Sequence, residues 1–521
     1  MTISTLRYRP RVLANTRPSP MFLHMTDQAA SKYSFSAPGG STANCTAANL
    51  GNGTSLGWVA GQTMASGQYT GIKRTGLTLN LSAYSEVAIE LGYDNNDVPT
   101  RVQIIFGDVN NVNSSQAVVS NGNRKRGLCR YVIKKSEFTT LSGTGAPWNA
   151  VKEFHVRVTG NATVPSPSYA LNVRFYGVTW GINTKPTLLI SADDGNEAFY
   201  QLAFAKVGRI KDLKIPGVLF LNNNPLTSPG PGGTDGSMTL AHIQEIHAAG
   251  WDVCPHNWNH RCFAVNYQSM TVSGDQATIV CPSGIFAGSN LGNLDASVFA
   301  AGKYITIEDC AIREWNGSYP IVSTSAPNIV ISGVTGKPTI SAWDGGYLLF
   351  NAYDWLTDFK ANHDLIRSMG LDSGATYRMM ASTFGALAKS QRARLSSLGW
   401  QICRGTTGTD DTNAANQYVT PMFALQGSIF DSASAITELN TFSCSASTTA
   451  NNLTAFIDTI IDRGGLGSIY FHRWNDGGTY NSPDLAEAAG ATFLAYAASK
   501  RAAGQLEIVN GSQLLQAIDL G

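Results

Sequence analysis

Asp193-Asp194-Gly195 closes an apolar run at 187–190, and His256-Asn257-Trp258-Asn259-His260 follows one strand–helix repeat later. Together the two clusters offer a carboxylate and two imidazoles to one cation. Three protein ligands of this kind leave coordination positions open, which is how catalytic rather than structural zinc is held. The open position carries the attacking water. Two adjacent aspartates then divide the labour: one binds the metal, and its neighbour, pointing elsewhere, takes a proton from the water. The pattern predicts a metal-dependent hydrolase. Alone, Asp-Asp-Gly is a common turn sequence and His-x-x-x-His is weak. What joins them is their order along the chain and a later apolar strand, Ser468-Ile469-Tyr470-Phe471, that ends on His472.

The elements that must hold these residues follow from the rhythm of the chain. After Thr184-Lys185-Pro186, strand and helix alternate: strands over 186–192, 217–221 and 251–255, helices over 197–211 and 240–249. Such alternation predicts a parallel sheet or barrel whose site lies at the carboxyl ends of the strands, where both ligand clusters fall. The alternation stops at about 266 and resumes near 350, and the interval carries short strands at 304–307, 319–323 and 328–331 with Asn316-Gly317 as a turn. A small inserted β-barrel is expected there. Upstream, short alternating runs at 77–81, 87–91, 102–106, 131–134, 154–158 and 171–176 predict a β-sandwich. The expected organisation is therefore an N-terminal arm (1–40), an all-β sandwich open to carbohydrate binding (41–184), an α/β unit in two pieces (185–265 and 350–521) and the insertion (266–349).

The 521 residues exceed one ordinary core. Only 14% are charged, Gly numbers 52, and Asn, Ser and Thr are abundant, a composition suited to extracellular β-rich proteins and glycan-facing surfaces. A formal charge of +1 provides no bulk attraction to nucleic acid or anionic lipid. The basic run Arg124-Lys125-Arg126 with Arg130 reads as a solvated hairpin turn. The eight cysteines form no CxxC pair, which argues against a thiolate zinc site; Cys254 and Cys262 bracket the histidines, and buried free thiols are the default for both. No segment has the length of a signal peptide's apolar region or of a membrane span. His242 and His247, five apart on one helix, are expected at the surface on different faces, and His24 and His155 lie outside the pattern.

These motifs resemble those of the polysaccharide deacetylases of carbohydrate esterase family four, over about 186–264 and 351–521. The family's Thr-Phe-Asp-Asp-Gly stands here as Ser191-Ala192-Asp193-Asp194-Gly195, and its His-Ser/Thr-x-x-His as His256 to His260. The resemblance implies a deformed (β/α) barrel. It further implies Asp193 as general base, Asp194, His256 and His260 as ligands of one divalent metal, most simply Zn2+, and His472 as general acid. Asn257 replaces Ser/Thr and is expected to tune a hydrogen bond around the metal more than its occupancy. The third motif departs from the family: Met380-Ala381-Ser382-Thr383-Phe384-Gly385 has Thr where Pro is usual. Arg404 fits the arginine that contacts the base in relatives with the Phe-Gly variant, and Asp410 or Asp411 the acidic partner of His472. Phe384 and Trp474 are expected to bind substrate, Trp474 and Trp258 either by stacking on sugar or by packing in the core. The insertion's Tyr304-Ile305-Thr306-Ile307 and Asn316-Gly317-Ser318-Tyr319 look like small modules of bacteriophage tail proteins. The implied activity is removal of N- or O-linked acetyl from a bacterial surface polysaccharide, in a virion tail, with other tail proteins as partners and homotrimeric assembly left open. The alternative is a non-catalytic glycan receptor-binding tail protein with a degenerate barrel.

Overall fold

A computed structural model describes residues 69–93, 101–120, 127–159, 171–180, 186–222, 236–258, 262–282, 296–341 without 311, 346–383, 387–405, 437–476 without 440 and 446, and 484–519, with separate strands at 21–23, 33–36, 46–49, 56–60 and 419–420. The chain divides into two compact units, one containing 184–308 and 315–521, the other 10–183 with 309–314. Among the described residues no helix is long and apolar enough to cross a membrane.

The second unit is built from two six-stranded antiparallel sheets. One runs Thr46–Asn49, Leu56–Ala60, Leu171–Trp180, Glu86–Tyr93, Gly127–Lys134, with Met21–Leu23 added on Leu171–Trp180. The other runs Thr139–Ser142, Ser114–Ser120, Arg101–Gly107, Glu153–Thr159, Tyr69–Arg74, Tyr33–Ser36. Alternate residues of each sheet, among them Val102, Ile104, Phe106, Val156 and Val158 on one and Val87, Ile89, Leu91 and Val178 on the other, meet in one core, so the unit is a sandwich. Two expectations differ. Strands at 21–23 and 33–36 lie within the expected arm, and both pair with sandwich strands. The run at 77–81 is not a strand; only Leu79 bridges to Val151, while Leu77 and Leu81 are buried in the core.

The first unit alternates strand and helix: β1 (Thr187–Asp193), β2 (Val218–Leu221), α1 (Leu240–Ala248), β3 (Asp252–Pro255), α2 (Trp355–Ser368), β4 (Met379–Ala381), α3 (Lys389–Ser397), β5 (Ile402–Arg404), β6 (Thr437–Leu439), α4 (Ala450–Arg463), β7 (Leu466–Phe471), α5 (Glu487–Ala502), β8 (Glu507–Val509) and α6 (Gly511–Asp519). Helix starts follow the local chemistry: Thr239, Asp354 and Thr449 each accept a backbone N–H of the first turn. The helix expected over 197–211 is instead a π-helical turn, Phe199–Phe204, and a short helix, Ile210–Leu213, separated where Gly208 adopts φ 74°.

All main ladders here are parallel. β1 pairs β7 on one edge and β2 and β8 on the other, β2 pairs β3, and β4, β5 and β6 form a second parallel set. Side chains alternate across each strand. Leu188, Ile190 and Ala192 of β1 face the helices with Ile243, Phe456, Ile457, Ile460 and Phe493. The opposite parity, Leu189 with Val218, Phe220, Cys254, Met379, Ala381, Ile402, Leu439 and Leu466, draws one cluster from seven strands. Between β3 and β4 no ladder occurs among the described residues. Instead, Thr376 Oγ1 donates to the Val253 carbonyl at 2.6 Å.

Between β3 and α2 the chain makes a seven-stranded antiparallel sheet in the order Val265–Asn266, Tyr347–Phe350, Tyr304–Glu308, Gly317–Ser325, Asn328–Ser332, Gln276–Val280, Ser269–Ser273. The strands that open and close this segment along the chain pair with each other, Val265 opposite Leu348 and Asn266 opposite Tyr347.

Candidate active site

The strand parity that fills the inner cluster also places the polar residues. Continuing Leu189 by twos gives Ser191 and Asp193, and Val218 and Phe220 lead to Asn222. Cys254 leads to His256, Ile402 to Arg404, and Leu466 through Ser468 and Tyr470 to His472. Five strands thus present one polar residue each at their carboxyl ends, on one side.

Asp193 is 2% exposed. Its Oδ2 accepts from Arg404 Nη2, and Arg404 is itself fully buried, its guanidinium 4.3 Å from the Tyr470 ring centroid and 5.2 Å from that of Phe220. Two aromatic faces and a carboxylate therefore offset the cost of burying this cation. Burial pushes the Tyr470 hydroxyl up to about 12, so it stays a neutral group beside the ion pair. The other oxygen, Asp193 Oδ1, is buried and has no hydrogen-bond partner among the described residues; the same holds for Arg404 Nε and His472 Nδ1.

Asp194 leaves the strand at φ 67°, with its N–H donating to the Phe220 carbonyl at 2.9 Å. This left-handed step, which Asp tolerates better than most residues, keeps its carboxylate on the same side as that of Asp193, both facing the Nε2 atoms of His256 and His472. Asp194 Oδ1 accepts from Asn222 Nδ2 at 3.1 Å.

His256 is 2% exposed. Its N–H donates to Asn362 Oδ1 at 3.0 Å, and its Nδ1 lies 3.1 Å from the Ala381 carbonyl. A carbonyl only accepts, so Nδ1 carries a proton and Nε2 is the nitrogen left for other partners. That Nε2 faces Asp194 Oδ1 at 3.6 Å and Asp193 Oδ2 at 3.8 Å. Asn257 follows at φ 74°, its Oδ1 accepting from the Trp258 N–H at 2.8 Å and its Nδ2 donating to Tyr353 Oη at 3.4 Å. Asn tolerates this left-handed backbone angle better than a β-branched residue would.

His472 Nε2 stands 3.4 Å from Asp194 Oδ2 and 4.0 Å from Asp193 Oδ2. Asp193, Asp194, His256, Arg404 and His472 are thus brought together. His260 and Phe384 lie outside the described residues, as do Asp410, Asp411 and the run 124–126.

The donor set can be compared with a metal. Two ligands of a tetrahedral zinc, each about 2.1 Å from the ion, stand roughly 3.4 Å apart. The 3.6 Å between Asp194 Oδ1 and His256 Nε2 matches this and is too long for a hydrogen bond. Among the described residues no three His, Cys, Asp or Glu side chains complete a ligand set, and the third expected ligand, His260, is outside them. The Asp194–His256 pair alone has the spacing that two ligands of one ion require.

Trp474 corrects an expectation. It is 1% exposed, packs with Phe471 and Phe493 in the helix-facing core, and lies so close to α5 that a Cβ on Gly490 would come within 2.4 Å of its ring. It has no face to offer a sugar. His242, expected at the surface, bonds Glu197 Oε2 through Nδ1 at 2.9 Å and stacks on Tyr200 with centroids 3.8 Å apart. The six described cysteines, Cys254 and Cys262 among them, are free and buried. Asn222 and Asn362 were not among the expected site residues. Asn222 carried a signal, being the first polar residue after Val-Leu-Phe-Leu in the same phase as Asp193. Asn362 lies on α2, beyond the insertion, and carried none.

No family model and no curated protein matches the sequence. Several solved structures are similar to parts of the chain. One is a family 11 carbohydrate-binding module from Clostridium thermocellum in complex with a β-1,3-1,4-mixed-linked tetrasaccharide, at 10% identity over 31% of this chain and 94% of that one, TM-score 0.24. Another is described as T48 deacetylase with substrate, at 9% identity over 64% of this chain and 92% of that one, TM-score 0.28. A third is the enzymatically active domain of bacteriophage CBA120 tailspike protein 4, at 14% identity over 30% of this chain and 20% of that one, TM-score 0.19.

Proposed function

We propose that this protein is a metal-dependent deacetylase that removes N- or O-linked acetyl groups from a bacterial surface polysaccharide. The observation that carries the reading is the meeting of Asp193, Asp194, His256, Arg404 and His472 at the ends of parallel strands, with Asp194 and His256 spaced as ligands of one ion. In this reading the two parallel strand sets are parts of one deformed (β/α) barrel, interrupted over 266–349 and preceded by the sandwich at 41–184.

A divalent ion, taken as Zn2+, when bound polarises the acetyl carbonyl and acidifies water. Asp194 and His256 would hold it, with His260 as the third ligand that the family resemblance implies. Arg404 holds Asp193 through Oδ2, and the buried carboxylate takes the proton from water. His472, exposed enough at 21% to meet substrate, delivers a proton from Nε2 to the departing amine or alcohol. The Ala381 carbonyl keeps His256 in the tautomer that ligates. The phage-tail pattern of the insertion supports action in a virion tail, with other tail proteins as partners and a homotrimer as the assembly to test.

Acetate release from acetylated capsule or O-antigen, measured with the wild type, with H256A and after chelation, tests the reading. Release should fall to background in the last two. Equal release from wild type and H256A would sink the proposal, and glycan binding without release would favour the receptor-binding alternative.

A further inference from the structure

Asn222 has no part in the chemistry just described, yet it is the fifth residue of the strand-end set. It follows Val218–Leu221 in the parity of Val218 and Phe220, it is 4% exposed, and its Nδ2 donates to Asp194 Oδ1 at 3.1 Å. We infer that Asn222 is a positioning residue that fixes the carboxylate of Asp194 for the cation, an inference that rests on the proposed metal site. Asp194 sits on a left-handed turn beyond the end of its strand, with its side chain 23% exposed. Two imidazoles flank its carboxylate, His256 Nε2 at 3.6 Å from Oδ1 and His472 Nε2 at 3.4 Å from Oδ2. Rotation of this carboxylate toward either imidazole alone would cost it its aim at the position shared with His256.

A primary amide suits this task for a chemical reason. It donates a directed hydrogen bond, adds no charge and does not titrate, so it orients the ligand without competing for the cation. Hydrogen bonds to a ligating carboxylate typically alter metal affinity 10–100-fold.

The test uses the full chain, stripped of metal, as wild type, N222A, N222S and H256A. Zn2+ affinity is read by competition with a chromophoric chelator, the coordination environment by the visible absorption of the Co2+ form, and folding by the Tm of the apo proteins. The expected result is Zn2+ binding weakened roughly 10–100-fold in N222A, with an altered Co2+ band and an apo Tm within a few degrees of wild type. N222S, which keeps a short donor, should fall between the two. Wild-type Zn2+ affinity in N222A, or in N222S should N222A fail to fold, overturns the inference while leaving the metal site standing. Absence of Zn2+ uptake by the wild type itself overturns both.

Discussion

At the scale of single residues the site is an exercise in burying charge next to charge. Arg404 and Asp193 are both inaccessible, and removing one strands the other: R404M should destabilise the α/β unit by about 3–5 kcal/mol, measured by denaturant unfolding, whereas an exposed ion pair such as Lys211–Glu245 should cost at most about 1 kcal/mol when broken. D193N should bind Zn2+ yet lose roughly 10²–10⁴-fold in kcat for acetate release, because a base, not a ligand, has gone. In the sandwich, burial and then the charges of Lys73 and Arg157 push His155 down to about 4, and its Nε2 accepts from Asn111 Nδ2 at 2.7 Å. The unfolded chain takes up a proton near pH 6.5 that the folded imidazole refuses until about pH 4. Stability present above 6.5 is therefore lost as the pH falls toward 4, by on the order of 1–3 kcal/mol. Thermal unfolding followed against pH should show this fall in the sandwich, and H155Q should flatten it.

At the scale of elements, what the sequence discloses and what it hides have physical causes. Parallel strands covered on one face by helices and closed on the other read as continuous apolar runs, so 186–192, 217–221 and 251–255 announce themselves as strands, and the first polar residue after each marks its carboxyl end. The positions of Asp193, His256 and His472 relative to their strands follow from that alone. Trp474 does not, because whether an indole two residues beyond a strand end packs or protrudes depends on the helix opposite. Here Gly490 of α5 leaves the room it fills. The break in the helix expected at 197–211 has causes both within the segment and outside it. Its apolar spacing is helical, but Gly208 ends one segment, and the buried carboxylate of Glu197 is committed to His242 and Gln201. G490A tests the close approach of helix and indole. Its Cβ would stand 2.4 Å from the Trp474 ring, so despite alanine's better helix propensity the variant should lose about 1–3 kcal/mol, read as a lower Tm.

At the scale of the whole molecule the two units have separate hydrophobic cores, one shared by the two antiparallel sheets and one between parallel strands and helices. Calorimetry should therefore resolve two transitions. Chelation should lower only the one belonging to the α/β unit, since a ligand that binds only the native state stabilises only the unit that holds it, while mild acid should lower the other through His155. A single transition that moves as one under both treatments would contradict this. The pairing of Val265–Asn266 with Tyr347–Phe350 has a consequence for the folding chain. Some eighty intervening residues enter and leave through adjacent points, so to the segments on either side they act as a hairpin tip. The entropy of closing so long a loop grows only logarithmically with its length, and the strands inside recover it among themselves. Evolution could thus exchange this cassette for another without re-registering the strands that carry Asp193 and His256.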